Sequence, residues 1–180
     1  MSVVTRLITV LAMVFLFSFG SNAKNLKIDA FYGEFLGSGV SENRDSIYFG
    51  VTVRDFGVVI RPVDPGFEVE WTTVIRRGGN PNKPKIRQKT QKFIFQPTAQ
   101  KNIFRSPESP DYMSGQPFAW ARINRSTLHI YLLSINAKGI YSMQTYARTL
   151  TPMGMDFVFT RLRDGEPVRS IKGKLVKHKK

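Results

Sequence analysis

Two histidines, His129 and His178, are the chain's only imidazoles, and it contains no cysteine. His129 alternates with Leu128, Ile130 and Leu132, so it lies on the opposite face from an apolar stripe, where surface histidines are commoner than general bases. Without Cys or a His-x-His pattern the chain lacks a zinc ligand set. An axial haem ligand could only be His129, with no adjoining motif to support it. No metal and no cofactor is expected. Glu68 and Glu70 share one strand face, a spacing that can pair a general acid with a base. The simpler reading makes them the solvent face of a hairpin, answered across strands by Arg61 or Arg76. Gly37-Ser38-Gly39 and Gly78-Gly79 lack the following helix that a phosphate cradle or a nucleophile elbow requires. Asp64-Pro65-Gly66 and Asp164-Gly165 are turn chemistry. The residue types point away from catalysis.

Binding chemistry is better represented. Trp71, Trp120, Tyr141, Met143, Phe157 and Phe159 are candidates for an apolar lining, with Arg122 as an anion contact. Such a set fits a small apolar or amphipathic ligand, the alternative being that these side chains simply fill the interior. A second cluster, Lys83, Lys85, Arg87 and Lys89, lies around one Gly- and Pro-containing loop, and Lys172 to Lys180 forms a basic tail. These charges could hold anionic lipid or an envelope polymer, at about 1 kcal/mol per charge near a membrane surface. Aromatic residues are sparse between Arg76 and Lys92, which speaks against single-stranded nucleic acid.

The elements that must position these residues read as strands. Apolar and aromatic runs recur at Phe31 to Val40, Asp55 to Pro62, Phe67 to Arg77 and Arg87 to Phe95. They resume at Phe118 to Ile123, Thr127 to Ile135, Ile140 to Thr149, Met155 to Leu162 and Val168 to Val176. Phe67, Val69, Trp71, Thr73 and Ile75 share one face against Glu68, Glu70, Thr72 and Arg76, the period of a half-buried antiparallel strand. Gln96 to Pro117 contains four prolines and reads as a long loop, with room for a short helix near Ser106 to Met113. Strands in meander order predict an all-β, antiparallel up-and-down barrel of about eight strands, with a β-sandwich as the alternative. An outer-membrane barrel would need an apolar lipid face flanked by aromatic girdles, whereas these strands carry Glu, Arg and Gln on their second face.

The first 23 residues have the layout of a secretory signal peptide. Arg6 precedes an apolar run from Leu7 to Phe19, and Ser21 and Ala23 stand at the −3 and −1 positions of a cleavage site. The run is short for a bilayer span of about 20 residues, so no transmembrane segment is expected after cleavage; a retained anchor is the alternative. The expected location is the periplasm or the extracellular medium, and residues 24–180 form a single barrel domain. The net charge of +14 then draws envelope anions rather than nucleic acid.

The segment Gly33-Glu34-Phe35-Leu36-Gly37-Ser38-Gly39 resembles the first strand of lipocalin-like (calycin) barrels. In those folds a Gly-x-Trp closes the base under a late-strand Arg, so the resemblance places Phe35 at the Trp position with Arg161 or Arg163 as partner. Gly37-Ser38-Gly39, the run from Trp71 to Arg77, and Arg161 to Gly165 are also similar to secreted bacterial proteins of this barrel type. That resemblance implies a fold and brings no activity with it.

Overall fold

A computed structural model describes residues 24–44, 51–77, 85–108 and 110–178. The expected signal peptide and Lys83 lie outside these residues. The chain forms a closed, antiparallel, up-and-down β-barrel. Its strands are β1 (Gly33–Asn43), β2 (Val51–Val63), β3 (Gly66–Arg77), β4 (Lys85–Pro97) and β5 (Ile103–Arg105), then β6 (Phe118–Asn124), β7 (Thr127–Ile135), β8 (Tyr141–Thr151), β9 (Gly154–Arg163) and β10 (Glu166–His178). Each strand pairs with its sequence neighbour, and β1 closes the ring on β10 from Glu34↔His178 to Asn43↔Arg169. Closure leaves no sheet edge to cover.

Among the described residues ten strands form where about eight are expected. The addition inside Gln96 to Pro117 is β5, three residues that bridge β4 and β6 through Pro97↔Phe104 and Phe104↔Ala121. So short a strand has no alternation to read. A 3-10 turn at Tyr112–Ser114 follows, with the Asp111 carboxylate accepting from the Met113 amide at 2.9 Å. The basic C-terminal segment is not a free tail: through His178 it is β10, with Lys172 and Lys174 exposed.

Turn chemistry sets the register. Asp164 and Gly165 join Arg163 to Glu166 with φ of 48° and 85°, the two positive values of a tight hairpin turn whose twist suits the strands. On the outer wall Glu68 is buried between Arg61 and Lys92, the latter at 2.8 Å. Lys92 first, then Arg61, holds its carboxyl below the ordinary range against the opposing effect of burial. Glu68 and Glu70 are therefore a cross-strand ion-pair set with Arg61.

One end of the barrel is shut. A 3-10 turn at Ile28–Phe31 leads into β1, and Phe31 is fully buried. The turn is tied to the β6–β7 hairpin: the Leu26 amide donates to the Arg125 carbonyl at 2.9 Å, and the Asn25 side chain accepts from the Arg125 amide at 2.6 Å. Above it Phe35, Phe67, Phe95, Ile123, Leu128 and Met155 are each 1% exposed or less. Phe67 stacks on Phe95 at 5.3 Å and meets Phe104 edge-on at 5.0 Å. The cation over Phe35 is Lys177, whose Nζ is 5.7 Å from the ring centre, and not Arg161 or Arg163. Lys177 is the register partner of Phe35, whereas Arg161 pairs with Arg169 toward the other end.

Candidate binding site in the barrel interior

Toward the end opposite the 3-10 turn, β6 and β7 still send Ala119, Ile130 and Leu132 inward, but β2, β8, β9 and β10 place aromatic and charged side chains there. A cavity of about 290 Å³ opens there. Its apolar wall is largely aromatic, with Phe56 from β2, Trp71 from β3, Tyr146 from β8, and Phe157 and Phe159 from β9, and is completed by Val58, Ile171 and Leu175. Its charged wall consists of Arg54, Lys89, Arg148, Arg161 and Arg169, and none of the lining residues is acidic. Two wider depressions, of about 700 and 590 Å³, run between outward side chains such as Val40, Val53 and Val158, or Leu36, Val59 and Glu70. They are grooves in the outer wall, not interior space.

The register explains the room inside. One circumferential row reads Arg54↔Gly39↔Gly173↔Phe157↔Arg148. Two consecutive glycines leave the wall bare between Arg54 and Phe157. They also permit a close approach of β1 and β10, since a Cβ on Gly39 would lie 2.5 Å from the Lys172 carbonyl oxygen. The next row toward the mouth carries Ser41, Ile171, Phe159 and Tyr146, and the one beyond it carries Arg169, Arg161 and Gln144.

Arg148 is the most unusual residue of this wall. It has no solvent exposure, and none of its three side-chain nitrogens has a hydrogen-bond partner. Its guanidinium carbon lies 5.3 Å from the Trp71 ring centre and 5.5 Å from those of Tyr146 and Phe157. Burial pushes its pKa down to about 10, because the charged form is the one that loses hydration. Burial likewise pushes the Tyr146 phenol up to about 12, so it stays neutral and donates to the Gln144 side-chain oxygen at 3.0 Å. Arg54 is lowered by burial and then by repulsion from Arg169. Arg161 donates from Nε to the Ser142 hydroxyl at 3.0 Å.

Of the residues expected to line a pocket, Trp71, Phe157 and Phe159 do so. Trp120, Arg122, Tyr141 and Met143 face outward instead. Strand β6 sends Ala119, Ala121 and Ile123 inward, because it pairs in register with Leu128, Ile130 and Leu132 of β7. Trp120 therefore stacks on Tyr131 at 5.0 Å outside the barrel, with Phe118 at 5.6 Å. Met143 pairs with Leu133, and Tyr141 sits exposed where β8 begins. Arg122 is exposed beside His129, whose pKa is lowered by burial and then by that arginine. Of the expected anion-binding cluster, Lys85 begins β4. Arg87 and Lys89 pair with Ile75 and Thr73, which puts them on the inward-facing side of β4 at the mouth rather than on a projecting loop. Among the described residues no group of three or more His, Asp or Glu could hold a metal.

The residues missed by sequence reasoning are Arg54, Tyr146, Arg148, Arg161 and Arg169. Their signal was present: Gln144, Tyr146 and Arg148 alternate on one face of β8, as Phe157, Phe159 and Arg161 do on β9. No family model matches the chain, and no curated protein matches it.

Proposed function

We propose that this protein is a non-enzymatic, lipocalin-like barrel of the periplasm or extracellular space that binds a small amphipathic molecule in its interior. The observation that carries this reading is the aromatic-walled cavity of about 290 Å³ between a sealed base and a polar mouth. That volume is at the small end of ligand sites, which run from about 300 to 1,000 Å³ and combine apolar walls with a few placed polar groups. The Gly33-x-Phe35 base, capped by the Lys177 ammonium and sealed by the turn carrying Phe31, supports the lipocalin-like assignment. The N-terminal apolar segment supports export.

The test is native mass spectrometry of protein purified from the envelope of cells that express the full chain. A small molecule retained at one per protein is expected. It should be absent from Thr73→Trp, which fills the cavity from the β3 wall. An empty protein, or a ligand retained equally by the filled variant, would refute the interior site.

A further inference from the structure

We infer that the bound molecule is a compact aromatic oxyanion, with its acid group against Arg148 and its ring system among Trp71, Tyr146 and Phe157; this rests on the interior being the binding site. A buried polar group without a partner calls for an explanation, and a buried guanidinium does so more than any neutral group. The three rings around Arg148 answer its charge through their faces. They cannot accept its in-plane N–H bonds, and no protein oxygen does so. An oxyanion supplies what is lacking, because guanidinium presents paired donors that match carboxylate, phosphate or sulfonate oxygens.

The rest of the wall agrees. Arg54, Lys89, Arg161 and Arg169 line the same cavity, and no lining residue is acidic, so the wall around Arg148 attracts anions. Size limits the ligand's body. A cavity of 290 Å³ holds roughly ten waters at about 30 Å³ each, which suits two fused rings carrying one acid group. Five aromatic side chains outnumber the aliphatic Val58, Ile171 and Leu175 in the apolar wall, and so favour a planar body, which can stack, over a long alkyl chain.

The experiment is isothermal titration of the protein, purified from cells expressing the full chain, with naphthalene-1-sulfonate, 1-naphthoate and neutral 1-naphthol. At least one of the acids should bind once per protein and at least tenfold more tightly than 1-naphthol. Arg148→Met should remove that tenfold preference and leave 1-naphthol within about twofold. Arg122→Met, on the outer wall, should leave all three unchanged. Equal binding of acids and naphthol would overturn the inference while leaving an apolar interior site standing. So would acid binding that survives Arg148→Met, or that Arg122→Met weakens as much. If none of the three probes binds, the inference is overturned, and retention of a small molecule in the native mass spectrum decides the interior site separately. The acid-against-naphthol comparison in the unaltered protein decides the matter even if Arg148→Met does not fold, and Arg148→Lys, which keeps the charge, should retain part of the preference.

Discussion

The two halves of the barrel interior obey the same alternation and reach opposite chemistries. In the lower half, inward positions carry Phe35, Phe67, Val69, Phe95, Ile123, Leu128 and Met155, packed until almost no surface remains. In the upper half the same faces of β2, β8, β9 and β10 carry Arg54, Arg148, Arg161 and Arg169 around unfilled space. The lower half shows what this barrel does when a strand face need only be stable. The upper half departs from that solution at several strands together, and the departure costs stability. Proteins keep such costs where function requires them.

The comparison breaks first at the base. Phe67 is fully buried, stacked on Phe95 and edge-on to Phe104. Phe67→Ala is expected to cost about 3–5 kcal/mol, the range for emptying a packed aromatic site that cannot collapse. Urea denaturation followed by circular dichroism measures it. A loss below about 1 kcal/mol would mean that the base is not the rigid half.

In the upper half the sign reverses. Arg148→Met replaces a dry, unpartnered cation with an apolar side chain that can meet the same three rings, and should stabilise the protein by about 1–4 kcal/mol. The direction of the Arg148 pKa gives the same answer. A base whose folded-state pKa is lowered is destabilising while charged. That cost is fully present below about pH 10, fades as the pH rises through the folded value, and vanishes above the unfolded one. The stability difference between wild type and Arg148→Met should therefore stay constant from pH 7 to 9 and shrink between pH 10 and 11.5. Tyr146 faces Arg148, and Arg54, Lys89, Arg161 and Arg169 line the same cavity; all are common to both proteins and largely cancel in the difference. A difference that does not shrink by about pH 11.5 would show that burial does not lower the Arg148 pKa.

Much of the lower half is legible in the chain. Phe67 and Val69 begin an inward face that Trp71 and Thr73 carry up into the cavity, Asp64-Pro65-Gly66 announces the turn at the base, and Arg61 answers Glu68 as cross-strand pairing suggests. Period two, however, says which residues share a face and not which face is inside. On β6 hydrophobicity alone sends Phe118 and Trp120 inward, yet pairing with β7 sends Ala119 and Ala121 there. The site itself was hidden by a sound default. Arginine and glutamine on a strand are usually solvated, so the faces holding Gln144, Arg148 and Arg161 read as surface. Only closure of the ring shows that they look into a cavity with one another.

The smallest effect is expected where the base also carries a cation. Lys177 lies over the Phe35 ring at 5.7 Å, but unlike Arg148 it is exposed at the end of β10, where water supplies its hydrogen bonds. An exposed cation–π contact contributes about 0.5–1 kcal/mol, so Lys177→Met should lower stability by no more than that. Its stem already covers Gly33, where a Cβ would stand 2.8 Å from the Lys177 Cε, and methionine can cover the same surface. Ligand affinity should be untouched, because Lys177 is no part of the cavity wall. Urea denaturation and titration with naphthalene-1-sulfonate check both statements. A large loss of stability would make the ammonium itself the seal of the base, and a loss of affinity would place the acid group at the closed end, against Lys177 instead of Arg148.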